Sequence, residues 1–311
     1  MFMPFFRLRS PSGPKARLSV LIFHRVLPEQ DPLFPDEMHA ARFDELCGWL
    51  AGWFNVLPLE QAVQRLQAGT LPARAACITF DDGYADNLHV AMPILQRHGL
   101  AATFFISTGF LDGGRMWNDT IIETVRACRA QVLDLSALGL GSHALVTVAK
   151  QQAAVAALIG HIKYRSVADR ITLTEEIARL ANVQLPRNLM MTSAEVKAIR
   201  QAGMQIGAHT VSHPILAKLT DAQARAEIGD SKRFLEELLG ERITVFAYPN
   251  GKPGEDYSPQ SVEVVRSLGF VGAVSTQWGA SRMGDDPLQI KRFTPWDKTR
   301  LRFGMRLLRN L

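Results

Sequence analysis

The chain has 311 residues, 47% of them hydrophobic and 21% charged, a globular composition with enough residues for one large domain and its core. It lacks an uninterrupted apolar run of about 18 residues, so no transmembrane helix is expected. The net charge of +5 sits at the ends: residues 1–25 hold five basic residues and no acid, and residues 291–311 hold seven basic residues and one acid. The stretch between is acidic overall, which excludes a general nucleic-acid-binding surface.

The opening "MFMPFFRLRSPSGPK" puts apolar residues before charges and has no signal-peptide apolar core after Arg7 and Arg9. Residues 1–17 are expected to form a basic tail. The chain is expected in the cytoplasm, with peripheral contact at the inner face of the membrane through its basic ends. Cys47, Cys77 and Cys128 are odd in number and widely spaced, so they are expected as reduced, mostly buried thiols.

Seven short, nearly continuous apolar runs read as strands buried on both faces: 18–23, 75–80, 102–107, 204–209, 243–248, 271–275 and 288–293. Helical patterns alternate with them. One covers 43–53, and one covers 85–99 and stops at Gly99. A third, 192–203, opens with Thr192 and Glu195 at capping-box spacing and stops at Gly203; a fourth, 220–240, repeats this with Thr220, Gln223 and Gly240. This alternation predicts an α/β fold with a parallel sheet, which an irregular (β/α)-barrel would close.

Residues 112–190 break the rhythm with no clear strand and are expected as a helical insertion, its first helix opening at "WND", 117–119. The last stretch, 297–311, reads as a basic amphipathic helix with Leu301, Met305 and Leu308 near one face. Linker-like segments lie at 9–15 and 249–260.

In parallel α/β folds the chemistry gathers at the C-terminal ends of strands. Four polar groups fall there: His24 and Arg25, Asp81-Asp82-Gly83, His209 with His213, and "YPNG" at 248–251. Asp-Asp-Gly alone is commonly a turn or helix cap. Histidines four apart can share a metal, and one carboxylate with two imidazoles suits Zn²⁺ with an open fourth position. The other aspartate is then free to act as a base. His39, His89, His98, His143 and His161 lie in helical or loop patterns without evident partners and read as surface or packing residues.

"TFDDG" and "HTVSH", in this order and at strand ends, resemble the polysaccharide deacetylase family, the NodB-homology or carbohydrate esterase family 4 fold, over roughly residues 18–300. "FAYPNG" resembles that family's third motif. The resemblance implies an irregular (β/α)-barrel and metal-dependent removal of N-acetyl groups from an amino-sugar of a surface polysaccharide or its precursor. It implies Asp81 as general base and Asp82, His209 and His213 as ligands of a divalent metal, Zn²⁺ first and Co²⁺ or Ni²⁺ as alternatives. Tyr248, Pro249 and Asn250 fall where the family contributes oxyanion and substrate contacts, the Asn250 N–H among them.

Two departures stand out. The family's arginine is replaced by Ala247, which leaves Arg292 as a candidate for the missing charge. The family's late histidine has no counterpart, since no histidine follows His213. "FHRV" at 23–26 resembles a subgroup in which the first-strand histidine takes the acid role, so His24 is the candidate general acid. Two alternatives stay open: a deformylase of a lipid-linked formamido-sugar, and a catalytically silent carbohydrate-binding barrel.

Overall fold

The computed structural model describes residues 2–311. The strands, in chain order, are β1 Arg17–Phe23, β2 Asn55–Val56, β3 Ala75–Phe80, β4 Thr103–Ile106, β5 Val132–Asp134, β6 Ser142–Ala144, β7 Gln205–Ala208, β8 Val245–Ala247, β9 Gly272–Trp278, β10 Ser281–Arg282 and β11 Ile290–Arg292. The helices are α1 Met3–Arg9, α2 Ala40–Trp53, α3 Leu59–Gln67, α4 Met92–Arg97, α5 Trp117–Ala127, α6 Val148–Ile162, α7 Val167–Leu180, α8 Ser193–Gln201, α9 Asp221–Leu239, α10 Pro259–Ser267 and α11 Arg300–Asn310.

All seven expected strands form, as β1, β3, β4, β7, β8, β9 and β11, and they neighbour one another in parallel. β10 adds an antiparallel rim to β1, and β2 lies beside the first half of β3. The sheet nearly closes into a barrel. The Phe293 N–H donates to the Val20 carbonyl at 2.7 Å, and the Ile22 N–H donates to the Phe293 carbonyl at 3.1 Å, which lays the last strand beside the first.

Strand side chains alternate between two faces. Leu18, Val20, Ala75, Cys77, Phe105, Val245, Ala247, Val274 and Ile290 fill the barrel, together with α3. Their neighbours, among them Leu21, Phe23, Ala76, Ile78, Phe80, Phe104 and Phe246, pack outward against the surrounding helices. This two-sided burial is why the strands read as continuous apolar runs. Cys47 and Cys77 are buried and Cys128 is half-buried, all unpaired.

The caps follow the sequence. Thr192 with Glu195 and Thr220 with Gln223 form reciprocal capping boxes. Gly240 ends α9 at φ +69°, a left-handed conformation that glycine adopts without strain. Pro93, which would break an α-helix interior, sits in the first turn of α4, directly after a π-turn at Asn87–Ala91.

Residues 112–190 hold α5, α6 and α7 around their own apolar cluster of Trp117, Ile121, Leu133, Leu158 and Ile177. They also contain strand, contrary to expectation: β5 and β6 pair antiparallel. Each has three residues, mostly exposed, which is too short for a periodic signal. Residues 3–9, read from sequence as part of a basic tail, form α1. Phe6 is buried against Trp53 and Phe54, and Phe2 lies against Gly304 of α11.

Candidate active site

The inward series of each strand continues past its apolar part to a polar end at the barrel mouth. On β3 the series 75, 77, 79 arrives at Asp81, and on β11 the step from Ile290 arrives at Arg292. Arg292 and Asp81 meet side-on: Nη1 donates to Oδ1 and Nη2 to Oδ2, each at 2.8 Å. Both residues are 2% exposed. Arg292 Nε donates to the Ser275 carbonyl at 2.8 Å. That carbonyl is turned to Arg292 where the pairing slips, since Ile290 faces Val274 but Arg292 faces Trp278. Burial pushes the Asp81 carboxyl up, but Arg292 and His209 outweigh it and hold Asp81 below the usual carboxylate range.

Consecutive strand residues point to opposite faces, so a second inward carboxylate needs a break in the backbone. Asp82 has φ +77°, and the Gly83 N–H donates to the Asp81 carbonyl at 3.1 Å. That is a γ-turn centred on Asp82, a rare and strained conformation of the kind that clusters at functional sites. It turns Asp82 toward the two histidines. Asp82 Oδ1 lies 3.4 Å from His209 Nε2 and 3.5 Å from His213 Nε2.

His209 ends β7 on the inward series. Its Nδ1 donates to the Ala247 carbonyl at 2.7 Å, which fixes the tautomer and leaves the Nε2 lone pair facing Asp82. The loop to His213 is held from two sides. The Thr108 and Gly109 N–H groups donate to the Thr210 and Val211 carbonyls. The Glu227 carboxylate of α9 accepts from the Val211 and Ser212 N–H groups and the Ser212 hydroxyl. Thr210 and His213 both have positive φ, at +66° and +51°. Burial and the neighbouring histidines pull the His213 pKa down to about 4, so it is a neutral donor at pH 7.

One donor atom from each of Asp82, His209 and His213 lies within 4.8 Å of the other two. Asp82 Oδ1 is buried without a hydrogen-bond partner, a costly state for a carboxylate oxygen. Burial raises the Asp82 pKa, but the surrounding histidines hold it well below the usual range, so the group stays anionic. An unpartnered anionic oxygen with two converging imidazole nitrogens fits a divalent cation.

Of the other predicted residues, His24 follows β1 in the inward alternation and is exposed at the mouth, its carbonyl accepting from Asn87. Its charge contributes to holding both Asp81 and Asp82 low. Asn250 has φ +57° and centres a second γ-turn, closed by the Gly251 N–H on the Pro249 carbonyl. Among the described residues nothing accepts a hydrogen bond from the Asn250 N–H. Pro249 is buried in that turn. Tyr248 does not face the site: its ring stacks on Tyr257 at 3.9 Å, and its hydroxyl donates to the Leu288 carbonyl. It lies on the outward alternation, one residue past the inward Ala247, so it packs in the core instead of touching substrate.

Sequence reading missed a second polar cluster beside the first. Arg25 Nε donates to Asp86 Oδ2 at 2.8 Å, and its guanidinium lies over the Tyr84 ring at 4.8 Å. Asp119 of α5 lies beside Tyr84, its Oδ2 buried without a hydrogen-bond partner. Burial drives the Asp119 carboxyl up to about 7, against the opposing pull of Arg25 and Tyr84. The "WND" stretch was therefore informative beyond starting a helix. His89 and His98, read as lacking partners, contact Glu195 at 2.6 Å and Asp44 at 2.7 Å at the surface. Neither pairing has a local signal, because each partner comes from a separate helix.

Similar proteins share this frame. The deacetylase PplD of Streptococcus pyogenes, solved in complex with acetate, superposes with a TM-score of 0.63 at 19% identity, over 95% of this chain and 98% of that one. IcaB from Ammonifex degensii gives 0.62 at 18% identity, over 96% and 97%. The YxkH protein of Bacillus subtilis strain 168 is 22% identical over 268 residues, 86% of this chain and 67% of that protein. The family model described as polysaccharide deacetylase matches residues 68–145 and 148–273. The chain thus belongs to the polysaccharide deacetylase family, hydrolases that act on N-acetyl amide bonds.

Proposed function

We propose that the chain is a metal-dependent hydrolase that removes N-acetyl groups from an amino-sugar of a surface polysaccharide or its precursor. One observation carries this reading: a buried carboxylate kept ionised by a paired arginine, Asp81 with Arg292, stands next to an Asp82–His209–His213 donor set. A base beside a cation site is what hydrolysis of an unactivated amide requires.

Asp82, His209 and His213 would hold the ion, with Zn²⁺ the best match to one carboxylate and two imidazoles. When bound, such an ion supplies Lewis acidity, acidifying water and polarising a carbonyl. Asp81 accepts the proton of the attacking water at one carboxylate oxygen. Arg292 keeps that carboxylate oriented and anionic until it does. The Asn250 N–H, free of any acceptor in the described residues, donates to the oxyanion that develops on the amide carbonyl. His24 donates a proton to the departing nitrogen, completing the transfer that Asp81 began.

Acyl release from a panel of acetylated and formylated amino-sugars tests this, with protein stripped by chelator and then reloaded with Zn²⁺, Co²⁺ or Ni²⁺. Acetate released only by reloaded protein, and lost in Asp81→Asn at full metal content, is the expected result. Formate release in its place would move the activity to the formamido-sugar. Saturable sugar binding with no acyl release from any substrate would overturn the hydrolytic reading.

We also propose that α1 and α11 rest on an anionic lipid surface. Met3, Phe5, Leu8, Leu301 and Met305 are exposed on these packed helices, alongside the basic Arg7, Arg9, Arg302 and Arg309. Apolar side chains interleaved with arginines complement the headgroup boundary of such a surface.

A further inference from the structure

A cavity of about 680 Å³ lies where the insertion meets the barrel, between the turn joining α6 to α7 and the loop that carries His213. Val211 and Pro214 line it, on either side of Ser212 and His213. Its charged lining is unbalanced: Lys163, Arg165, Arg170 and Lys218 against Glu227 and Asp230. The two acids are already committed. Glu227 accepts from the Val211 and Ser212 amides, and Asp230 pairs with Arg233 at 2.6 Å.

Arg170 is the unusual member. It is 4% exposed, and its Nε is buried with no hydrogen-bond partner. Its guanidinium rests over the Trp117 ring at 5.2 Å, a contact that orients the plane but leaves its N–H donors unused. Glu227 is the carboxylate whose charge reaches it, and burial still outweighs that support and pulls the guanidinium below its ordinary pKa. A buried cation without a bonded anion is costly, and here it borders open volume. The N-terminus of α7 enters the same space. Ser166, Val167 and Ala168 line it, and the first-turn amides of a 14-residue helix are unpaired within the helix.

We propose that this cavity binds an oxyanion substituent, a phosphate or carboxylate, on the acylated carbohydrate, with Arg170 as its buried anchor. The inference rests on the deacetylase reading and narrows it to an acidic substrate. Arg170 offers a planar fork of donors to two anion oxygens, the Val167 and Ala168 amides at the α7 N-terminus remain uncapped where the Ser166 hydroxyl takes only the Asp169 N–H, and Lys163, Arg165 and Lys218 set a positive field at the entrance. Because the cavity wall is the His213 loop, an anion held there fixes the sugar relative to the reacting amide.

Calorimetric titration of the full chain with inorganic phosphate, methyl phosphate and methyl glucuronate, against chloride at equal ionic strength, tests it without reading turnover. Saturable binding of the phosphates, the glucuronate or both is expected, and the tighter arm identifies the substituent. Arg170→Met should weaken that binding about 10- to 100-fold, the loss of a charge-assisted hydrogen bond. If Arg170→Met does not fold, Arg165→Gln/Lys218→Gln carries the test, with an expected loss of about 3- to 10-fold from two exposed charges. No saturable binding in the wild type, or binding unchanged in the folded variants, overturns the proposal. In a parallel assay, acyl release should favour phosphate- or uronate-bearing sugars over neutral ones, and Arg170→Met should erase that preference. Anion binding through Arg170 with no acyl release from any sugar would sink the deacetylase reading alone.

Discussion

Arg292 and Asp81, 211 positions apart in the chain, form a two-point ion pair at 2.8 Å with both side chains sealed from solvent. Arg292→Met strands a buried carboxylate, and loss of one partner of such a pair costs about 3–5 kcal/mol. In the wild type Asp81 has a depressed pKa, so its contribution is full at neutral pH and drains away as pH falls through that lowered value. In Arg292→Met the Asp81 pKa rises. The stability gap to wild type should be widest near neutrality and close only as pH falls through the depressed wild-type value, where Asp81 is protonated in both. Urea unfolding at several pH values measures this, and a gap independent of pH would contradict it.

Zn²⁺ added to the chelated chain should raise its stability by about 2.7 kcal/mol at a hundredfold excess over Kd. Asp82→Asn and His213→Gln should abolish most of that increment while keeping the barrel folded. Thermal unfolding with and without the ion, paired with metal analysis, reads the effect. Equal gains in wild type and both variants would place the ion elsewhere.

His24→Asn removes the proposed proton donor without disturbing a buried contact, since the side chain is exposed. Turnover should fall about 10²- to 10⁴-fold, the usual worth of general acid catalysis. Metal content should stay constant, and a substrate with a better leaving group should recover much of the rate. Wild-type turnover in this variant would remove His24 from the chemistry.

Asp119 titrates near 7 in the folded chain, far above its unfolded value of about 3.9. The folded state therefore binds the extra proton between these values, and stability declines as pH rises from about 4 to 7. Asp119→Asn should flatten that decline and leave the protein more stable than wild type at pH 8. Melting temperatures at pH 5 and pH 8 for both proteins test the sign directly.

Vesicles containing phosphatidylglycerol should sediment the wild-type chain at low salt, and neutral phosphatidylcholine vesicles should not. Leu8→Asp with Leu301→Asp should abolish sedimentation, because both side chains are exposed and neither supports the core. Retention of the double variant on anionic vesicles would exclude α1 and α11 as the contact.

The barrel strands were legible because burial on two faces makes each a continuous apolar run, and the capping boxes were legible because their signal spans four residues. The residues proposed as metal ligands and base were legible as residue types at strand ends. What made both neighbouring carboxylates face one point was not, since the γ-turn at Asp82 is a backbone event that its side chain does not announce. Arg292 was legible only as a spare charge near a strand end. Tyr248 was misread because a motif names a segment, and the strand's alternation decides which of its residues turn inward. Arg25 was legible at a strand end, but its association with Tyr84, Asp86 and Asp119 escaped because it depends on where the insertion folds back, seen in the pairing of Tyr84 with Met190.

The closure of the sheet by Phe293 against Val20 and Ile22 has a consequence for biosynthesis. The guanidinium that tames the Asp81 charge is contributed by the last strand to leave the ribosome, while both aspartates emerge some two hundred residues sooner. A nascent or prematurely terminated chain that collapses around its early strands carries an unneutralised acid at its centre. The site's electrostatic balance thus arrives only with the closing strand, so a chain shortened before it lacks the cation that settles its central acid.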